Sequence, residues 1–188
     1  AARDAMAARG YFETHNWVKE DLARVVKGEN PGTVFRRSLS RWYRALFSPS
    51  VQAGILKASD LAGYRNDPVF IRGALHVPPS KEAVRDCMPV LFELLEGETE
   101  PRVRAVLGHF LFVYIHPYRD GNGRLARFLM NLMLAPAGYV WTVIPVGKRD
   151  AYMKALEQAS SFANIAPLAS LVAELARAQS KKALPRPR

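Results

Sequence analysis

Cysteine is nearly absent from this sequence. Cys87 stands alone among 188 residues, so no disulfide can form within the chain. Its apolar neighbourhood marks it as a buried, inert thiol rather than a nucleophile. No secretory signal is visible either, since the first residues hold no continuous apolar segment. Long hydrophobic runs are also missing. Residues 125–147 come nearest, but Arg127 lies inside them and Pro136, Gly138 and Pro145 break them. A helix of about 20 apolar residues is therefore not available, which excludes a membrane-spanning helix there. Acidic residues are scarce: 17 Asp and Glu against 27 Lys and Arg leave a net charge of +10. The arginines are scattered from Arg3 to Arg188, with mild clusters at Arg36, Arg37, Arg41 and Arg44 and at Lys181, Lys182, Arg186 and Arg188. Scattered charge reads as solvated surface, ahead of a nucleic-acid-binding face. Internal repeats and low-complexity linkers are absent.

What is present fits one folded domain. Hydrophobic residues make up 49% and charged residues 23%, and the length suffices for a real core. Residues 1–32 read as an N-terminal helical extension, closed by the turn signal Gly28 to Gly32. Residues 33–180 form the core domain, and 181–188 a flexible basic tail. Val34, Phe35, Leu39, Trp42, Tyr43, Leu46 and Phe47 are spaced as on one helix face, with Pro49 expected to stop the helix. Val69-Phe70-Ile71, then Arg72-Gly73, then Ala74 to Val77 predict a short β-hairpin with a tight turn. A lone hairpin is marginal in water, so it must lean on helices or serve as a flap for binding. Helices are predicted over 80–97, with Ser80 as N-cap and a kink at Pro89, and over 101–115, 123–135, 148–160 and 167–180. The helices over 101–115 and 123–135 are nearly all-apolar and therefore central. The fold class is all-α with one hairpin.

One polar segment interrupts the two apolar helices: His116-Pro117-Tyr118-Arg119-Asp120-Gly121-Asn122-Gly123-Arg124, with Arg127 just beyond. A core gains nothing from such a loop, since buried polar groups must be paired. His116 titrates near neutrality and can act as a general base for a hydroxyl. Asp120 is a hard oxygen ligand suited to Mg²⁺ carried by a nucleotide. Gly121 and Gly123 allow close backbone approach; Asn122 tolerates left-handed angles and adds an amide donor. Together they can form a nest of N–H groups at the positive end of the second helix. Arg124 and Arg127 lie three apart and flank that helix mouth. The chemistry inferred is attack of a hydroxyl on a phosphate ester or anhydride, driven by positioning and charge stabilisation.

This segment resembles the signature of the Fic proteins, His-Pro-Phe-x-[Asp/Glu]-Gly-Asn-Gly-Arg-x-x-Arg, with Tyr118 for Phe as the one departure. The resemblance extends to Tyr64-Arg65 through Pro79, similar to the family's flap, and to Arg149, Tyr152 and Leu156, similar to its Arg-x-x-Tyr helix near the nucleotide. It implies a Fic-type helical bundle that transfers AMP from ATP to a Ser, Thr or Tyr hydroxyl of a target protein and releases pyrophosphate. On that resemblance His116 takes the proton and Asp120 holds Mg²⁺. Gly121, Asn122 and Gly123 cradle the phosphates, Arg124 binds them laterally, and Arg127 meets the γ-phosphate. Tyr152 joins the ATP site and Ser160 lies near the adenine. The flap strand Val69-Phe70-Ile71 pairs with an extended segment of the target. Doc-type kinase toxins carry Lys where this chain has Gly123, so the resemblance favours AMP transfer over phosphate transfer.

Many relatives carry an inhibitory helix, [Ser/Thr]-x-x-x-Glu-[Gly/Asn], whose Glu pairs with the second signature arginine, here Arg127. Three near-matches fail: Val25 precedes Glu29-Asn30, Phe92 precedes Glu96-Gly97, and Leu175 follows Ser170 to Glu174, with Glu174 read as surface. The inhibitory helix is thus expected upstream of Ala1 or on a separate antitoxin-like partner. His109 reads as a satisfied core histidine; His15 and His76 read as surface or flap residues. Trp17, Trp42 and Trp141, with the stripe Phe110, Phe112 and Tyr114, read as core. Alternatives stay open: a silent Fic-like binding module, use of another nucleotide, or removal of AMP. A cytoplasmic enzyme is the default, and a delivered effector the other option.

Overall fold

A computed structural model describes residues 2–183, and seven α-helices are found among them: α1 (Ala2–Val26), α2 (Pro31–Gln52), α3 (Lys81–Gly97), α4 (Pro101–Ile115), α5 (Asn122–Leu134), α6 (Arg149–Phe162) and α7 (Ala166–Ala183). Lys181 and Lys182 of the expected tail belong to α7; residues 184–188, with Arg186 and Arg188, lie outside the described residues. No helix among the described residues is long and apolar enough to cross a membrane.

The helix starts follow local chemistry. The Asn30 side chain accepts from the Thr33 amide at 3.1 Å, and Pro31 supplies the first helical residue of α2. Ser80 caps α3 by accepting from the Ala83 amide at 3.2 Å. Pro49 does not stop α2, which runs to Gln52. Proline has a helical φ, and the helix continues for one more turn although the Ala45 carbonyl loses the donor that residue 49 would otherwise supply. The Pro49 carbonyl still receives the Ala53 amide at 3.0 Å.

α5 is the central helix. Leu125, Ala126, Phe128, Leu129, Met130, Leu132 and Met133 are all fully buried. Full burial of each large side chain contributes about 1.5–3 kcal/mol. α4 packs along α5, yet Val103 and Leu107 stay exposed on its outer side, so it is not buried all round as its apolar sequence implies. Phe35 on α2 gathers the Trp42, Phe92 and Phe112 rings at 5.6–5.9 Å between centroids, joining α2, α3 and α4.

α1 lies along α2 at backbone contact. A Cβ on Gly10 would sit 2.0 Å from the Leu46 carbonyl oxygen, so only glycine permits this approach. The same pair of helices buries Asp21, which accepts from Trp42 Nε1 at 2.9 Å and from Arg41 Nη2 at 3.0 Å. Trp42 is core as expected, whereas Trp17 is 38% exposed beneath the Arg41 guanidinium, 4.4 Å from its ring.

Candidate active site

The site begins where α4 ends. His116 is the C-cap of α4 and adopts a left-handed conformation, φ 52° and ψ 59°. For a residue with a Cβ this costs about 1–2 kcal/mol, so the surroundings must impose it. Arg65 does much of that. Its Nε donates to the His116 carbonyl at 2.8 Å, and its amide donates to the Pro117 carbonyl at 2.9 Å. The same guanidinium donates to the carbonyls of Asp67, at 3.0 Å, and Pro79. Arg65 is buried although charged, and burial pulls its pKa down from the usual arginine value. Its charge is spent on carbonyl dipoles rather than on a carboxylate.

Arg65→Ala would leave the His116, Asp67 and Pro79 carbonyls short of a donor. The expected loss is about 2–3 kcal/mol, or roughly 5–10 °C in Tm, read by a thermal melt. Nucleotide-dependent turnover should fall further than stability alone explains, because the brace on His116 goes with it.

The His116 ring is set for one task. Nδ1 lies 3.2 Å from the Val113 carbonyl oxygen. A carbonyl only accepts, so Nδ1 carries the proton and Nε2 keeps its lone pair. Burial pushes the His116 pKa below the ordinary histidine value. The Val113 carbonyl and Asp120 raise it, while Arg65 and His76 lower it further. The net direction is down, so the ring is neutral at pH 7.

The loop after His116 is fixed by side chains. Tyr118 keeps the aromatic wedge of the sequence pattern: it is buried and stacked on Tyr43 with ring centroids 3.8 Å apart. Asn122 Oδ1 accepts from the Tyr118 amide at 3.0 Å, and its Nδ2 donates to the Tyr118 carbonyl at 2.7 Å. The expected free amide donor is therefore spent on holding the loop, and the left-handed position is Gly121 (φ +88°), not Asn122. A Cβ on Gly121 would also press on Leu46 and Phe47 at 3.0 Å. The amides of Asn122, Gly123 and Arg124 open α5 and have no acceptor within the helix. Open amides at a helix start are groups that suit an anion.

Asp120 is exposed. It accepts from the Gly121 amide at 2.6 Å and pairs with Arg124 at 2.9 Å, while the Arg124 guanidinium lies over Phe47. Among the described residues no cluster of three or more His, Cys, Asp or Glu could enclose a metal ion. A single carboxylate fits Mg²⁺, which keeps waters and takes phosphate oxygens rather than an all-protein cage.

A cavity of about 430 Å³ opens beside this loop. His116, Gly123 and Arg127 line one side; Tyr152, Leu156, Glu157 and Ser160 of α6 face them; Ile71 and His76 lie over it. Asp120, Gly121, Asn122 and Arg124 are outside the lining. Phe110 and Tyr114, expected as core, are walls of this cavity, and only Phe112 of that stripe is fully buried. An apolar wall and an apolar core share one sequence pattern, so the stripe alone does not separate them.

The expected β-hairpin is not seen. Residues 63–80 contain no strand, although the turn is there: the Ala74 amide donates to the Ile71 carbonyl at 3.1 Å, with Gly73 at φ +78°. Pro68, Pro78 and Pro79 flank the segment and cannot donate to a ladder. Other anchors replace the ladder. His76 Nε2 donates to the Tyr114 carbonyl at 2.9 Å, and the Leu75 amide donates to Glu157 at 3.1 Å across the cavity. Ile71 faces the cavity, Val69 is half-buried, and Phe70 is 79% exposed. Arg65, Glu157 and the cavity side of α4 were not singled out as site residues by the sequence.

Residues 37–134 match the family model described as the Fic/DOC family. The protein adenylyltransferase Fic of Nematostella vectensis is 41% identical over 101 residues, covering 52% of this chain and 23% of that protein. Its namesake from Drosophila willistoni is 35% identical over 115 residues, covering 59% and 22%. The chain thus spans under a quarter of the length of these curated relatives. Among solved structures, Fic-1 (residues 134–508) from C. elegans superposes with a TM-score of 0.78 at 20% identity, covering 97% of this chain and 51% of that one. The N-terminal Fic domain of a VirB-translocated Bep effector protein from Bartonella quintana, with bound ADP, gives 0.54 at 18% identity, covering 86% and 84%. At such identities the likeness is one of fold.

Proposed function

The chain belongs to the Fic/DOC family, and on that premise we propose that it binds ATP in the His116–Tyr152 cavity and transfers AMP to a protein hydroxyl. The observation that carries this reading is a neutral His116 whose Nδ1 is tied to Val113, leaving Nε2 as a base in a cavity shared with Gly123 and Arg127. Relatives named adenylyltransferase, and a neighbouring structure with bound ADP, support a nucleotide as the ligand.

In this reading the phosphates meet the open amides of α5, with Arg124 and Arg127 as charged donors. Nε2 of His116 accepts the proton of a Ser, Thr or Tyr hydroxyl. The hydroxyl oxygen bonds to the α-phosphorus, the bond to the bridging oxygen breaks, and pyrophosphate leaves. Asp120 is the residue that would hold Mg²⁺, which supplies charge neutralisation at the phosphates when bound. The target would dock on Val69-Phe70-Ile71, where exposed Phe70 offers an apolar anchor beside extended backbone. Among the described residues no carboxylate pairs with Arg127, and Glu174 pairs instead with Lys148 at 3.2 Å. An inhibitory glutamate would accordingly come from outside these residues.

Because the base must be unprotonated, activity should rise with pH through the His116 pKa and level off above it. With that pKa below 6.5, the acidic midpoint of the profile should fall below pH 6.5, with little change from pH 7 to 8. Initial rates of transfer across a pH series check this. The function itself is tested by mass spectrometry of lysate proteins after incubation with the chain, ATP and Mg²⁺. AMP on Ser, Thr or Tyr is expected, and its absence would reject the reading.

A further inference from the structure

We propose that a second cavity, between α4 and α7, is a binding site for a medium-chain fatty acid, its carboxylate on Arg102 and Arg177 and its acyl chain between the helices. This cavity shares no lining residue with the one beside His116, and the proposal does not depend on the reaction above. It measures about 310 Å³, within the range of small-ligand sites. α7 lines it with Ala169, Ala173 and Ala176, and α4 with Val103, Val106 and Leu107. Alanines on one side leave a trough that longer side chains would close. Val103 and Leu107 keep 41% and 39% of their surface exposed. Water in such a trough finds few hydrogen-bond partners, so an apolar chain displaces it favourably.

The polar groups gather at one end. α4 and α5 run antiparallel through the tight turn His116–Gly121, so the start of α4 lies beside the 3₁₀ turn Ala135–Ala137 that follows α5. Tyr139 comes two residues later. The next amide, Val140, donates to Ser180 Oγ at 3.3 Å, near the end of α7. Arg102, Tyr139 and Arg177 therefore share that end, while Leu107 and Ile165 lie at the other.

Charge selects the occupant. No acidic side chain lines the cavity. Among the described residues Arg177 has no ion-pair or hydrogen-bond partner. Arg102 meets Glu100 at 2.6 Å through Nε, in an exposed pair that uses one of its five N–H donors. Guanidinium forks match a carboxylate, and the Tyr139 hydroxyl can add a donor. An anionic head at one end and an apolar trough beyond it describe a single-chain amphiphile. A partner helix is about 10–12 Å across and would rest on the rim rather than enter.

Equilibrium dialysis of the whole chain against labelled decanoate, below its micelle concentration, tests the site. One equivalent should bind. Acetate, the head alone, should not bind, and decanol, the tail alone, should bind about 10-fold more weakly than decanoate. Arg177→Gln should weaken decanoate about 10-fold and decanol far less. Arg102→Gln should act in the same direction but less, since Glu100 already shares that guanidinium. Ala173→Leu, which fills the trough, should abolish binding of both while Tm holds or rises. No binding, uptake that does not saturate, equal affinity for decanoate and decanol, or an equal loss of both in Arg177→Gln would each overturn the proposal. Self-association of the chain that Ala173→Leu removes and decanoate leaves intact would overturn it in favour of a second copy on this face. If Ala173→Leu does not fold, the arginine variants and decanol still decide it.

Discussion

Replacing His116 with alanine is expected to slow AMP transfer by about 10²–10⁴-fold while leaving ATP affinity close to unchanged. In the proposed reading the phosphates rest on the α5 amides and the arginines, none of which the substitution removes. What is lost is Nε2, the atom left free once Nδ1 is tied to the Val113 carbonyl. Alanine also sits at φ 52°, so a part of any loss could be structural. His116→Asn separates the two effects. Asparagine tolerates the left-handed region better than alanine does, yet it offers no base. Single-turnover labelling with ATP measures both variants. A loss of similar size in each assigns the effect to proton transfer; recovery in His116→Asn would assign it to the backbone.

Asp21→Ala should be strongly destabilising, costing about 3–5 kcal/mol. Asp21 is fully buried between α1 and α2, where it accepts from the buried Trp42 indole and from Arg41, with Arg24 at 3.3 Å. Removing it strands the indole N–H in the core and leaves Arg41 without its acceptor. Arg41 is partly exposed and can recover water; Trp42 cannot. Urea denaturation should show the loss as a lower midpoint with a similar slope, and Tm should drop by roughly 10 °C. Nucleotide affinity of the folded fraction should not change, because Asp21 contributes nothing to the cavity wall. Asp21→Asn keeps the shape but turns a donor toward donors, and should recover little.

The contrast between these residues shows what a sequence carries. The run from His116 to Arg127 is legible because its groups are contiguous and chemically odd within an apolar region. Helix starts at Asn30 and Ser80 are legible because the cap and its amide lie three residues apart. Arg65 is not: its acceptors at His116 and Pro79 are backbone carbonyls, 51 and 14 residues away, and carbonyls leave no trace in side-chain pattern. Phe110 and Tyr114 look like core since periodicity reports burial, not what does the burying. The turn at Arg72-Gly73 was readable from glycine. The strands beside it are not realised, because His76, Leu75 and Arg65 tie that segment to α4, α6 and the C-cap of α4 rather than to a ladder. The sequence marks His109 as a satisfied core histidine, and it is one. Its partner, however, belongs to the cavity wall 43 residues on.

The most direct measurement uses two parallel reactions of the wild-type chain with lysate proteins and Mg²⁺, one with ATP labelled at the α-phosphorus and one with ATP labelled at the γ-phosphorus. A cavity that seats the triphosphate on α5 and directs a hydroxyl at the α-phosphorus puts only the α-label on protein. Protein carrying the γ-label, or neither label, would contradict it.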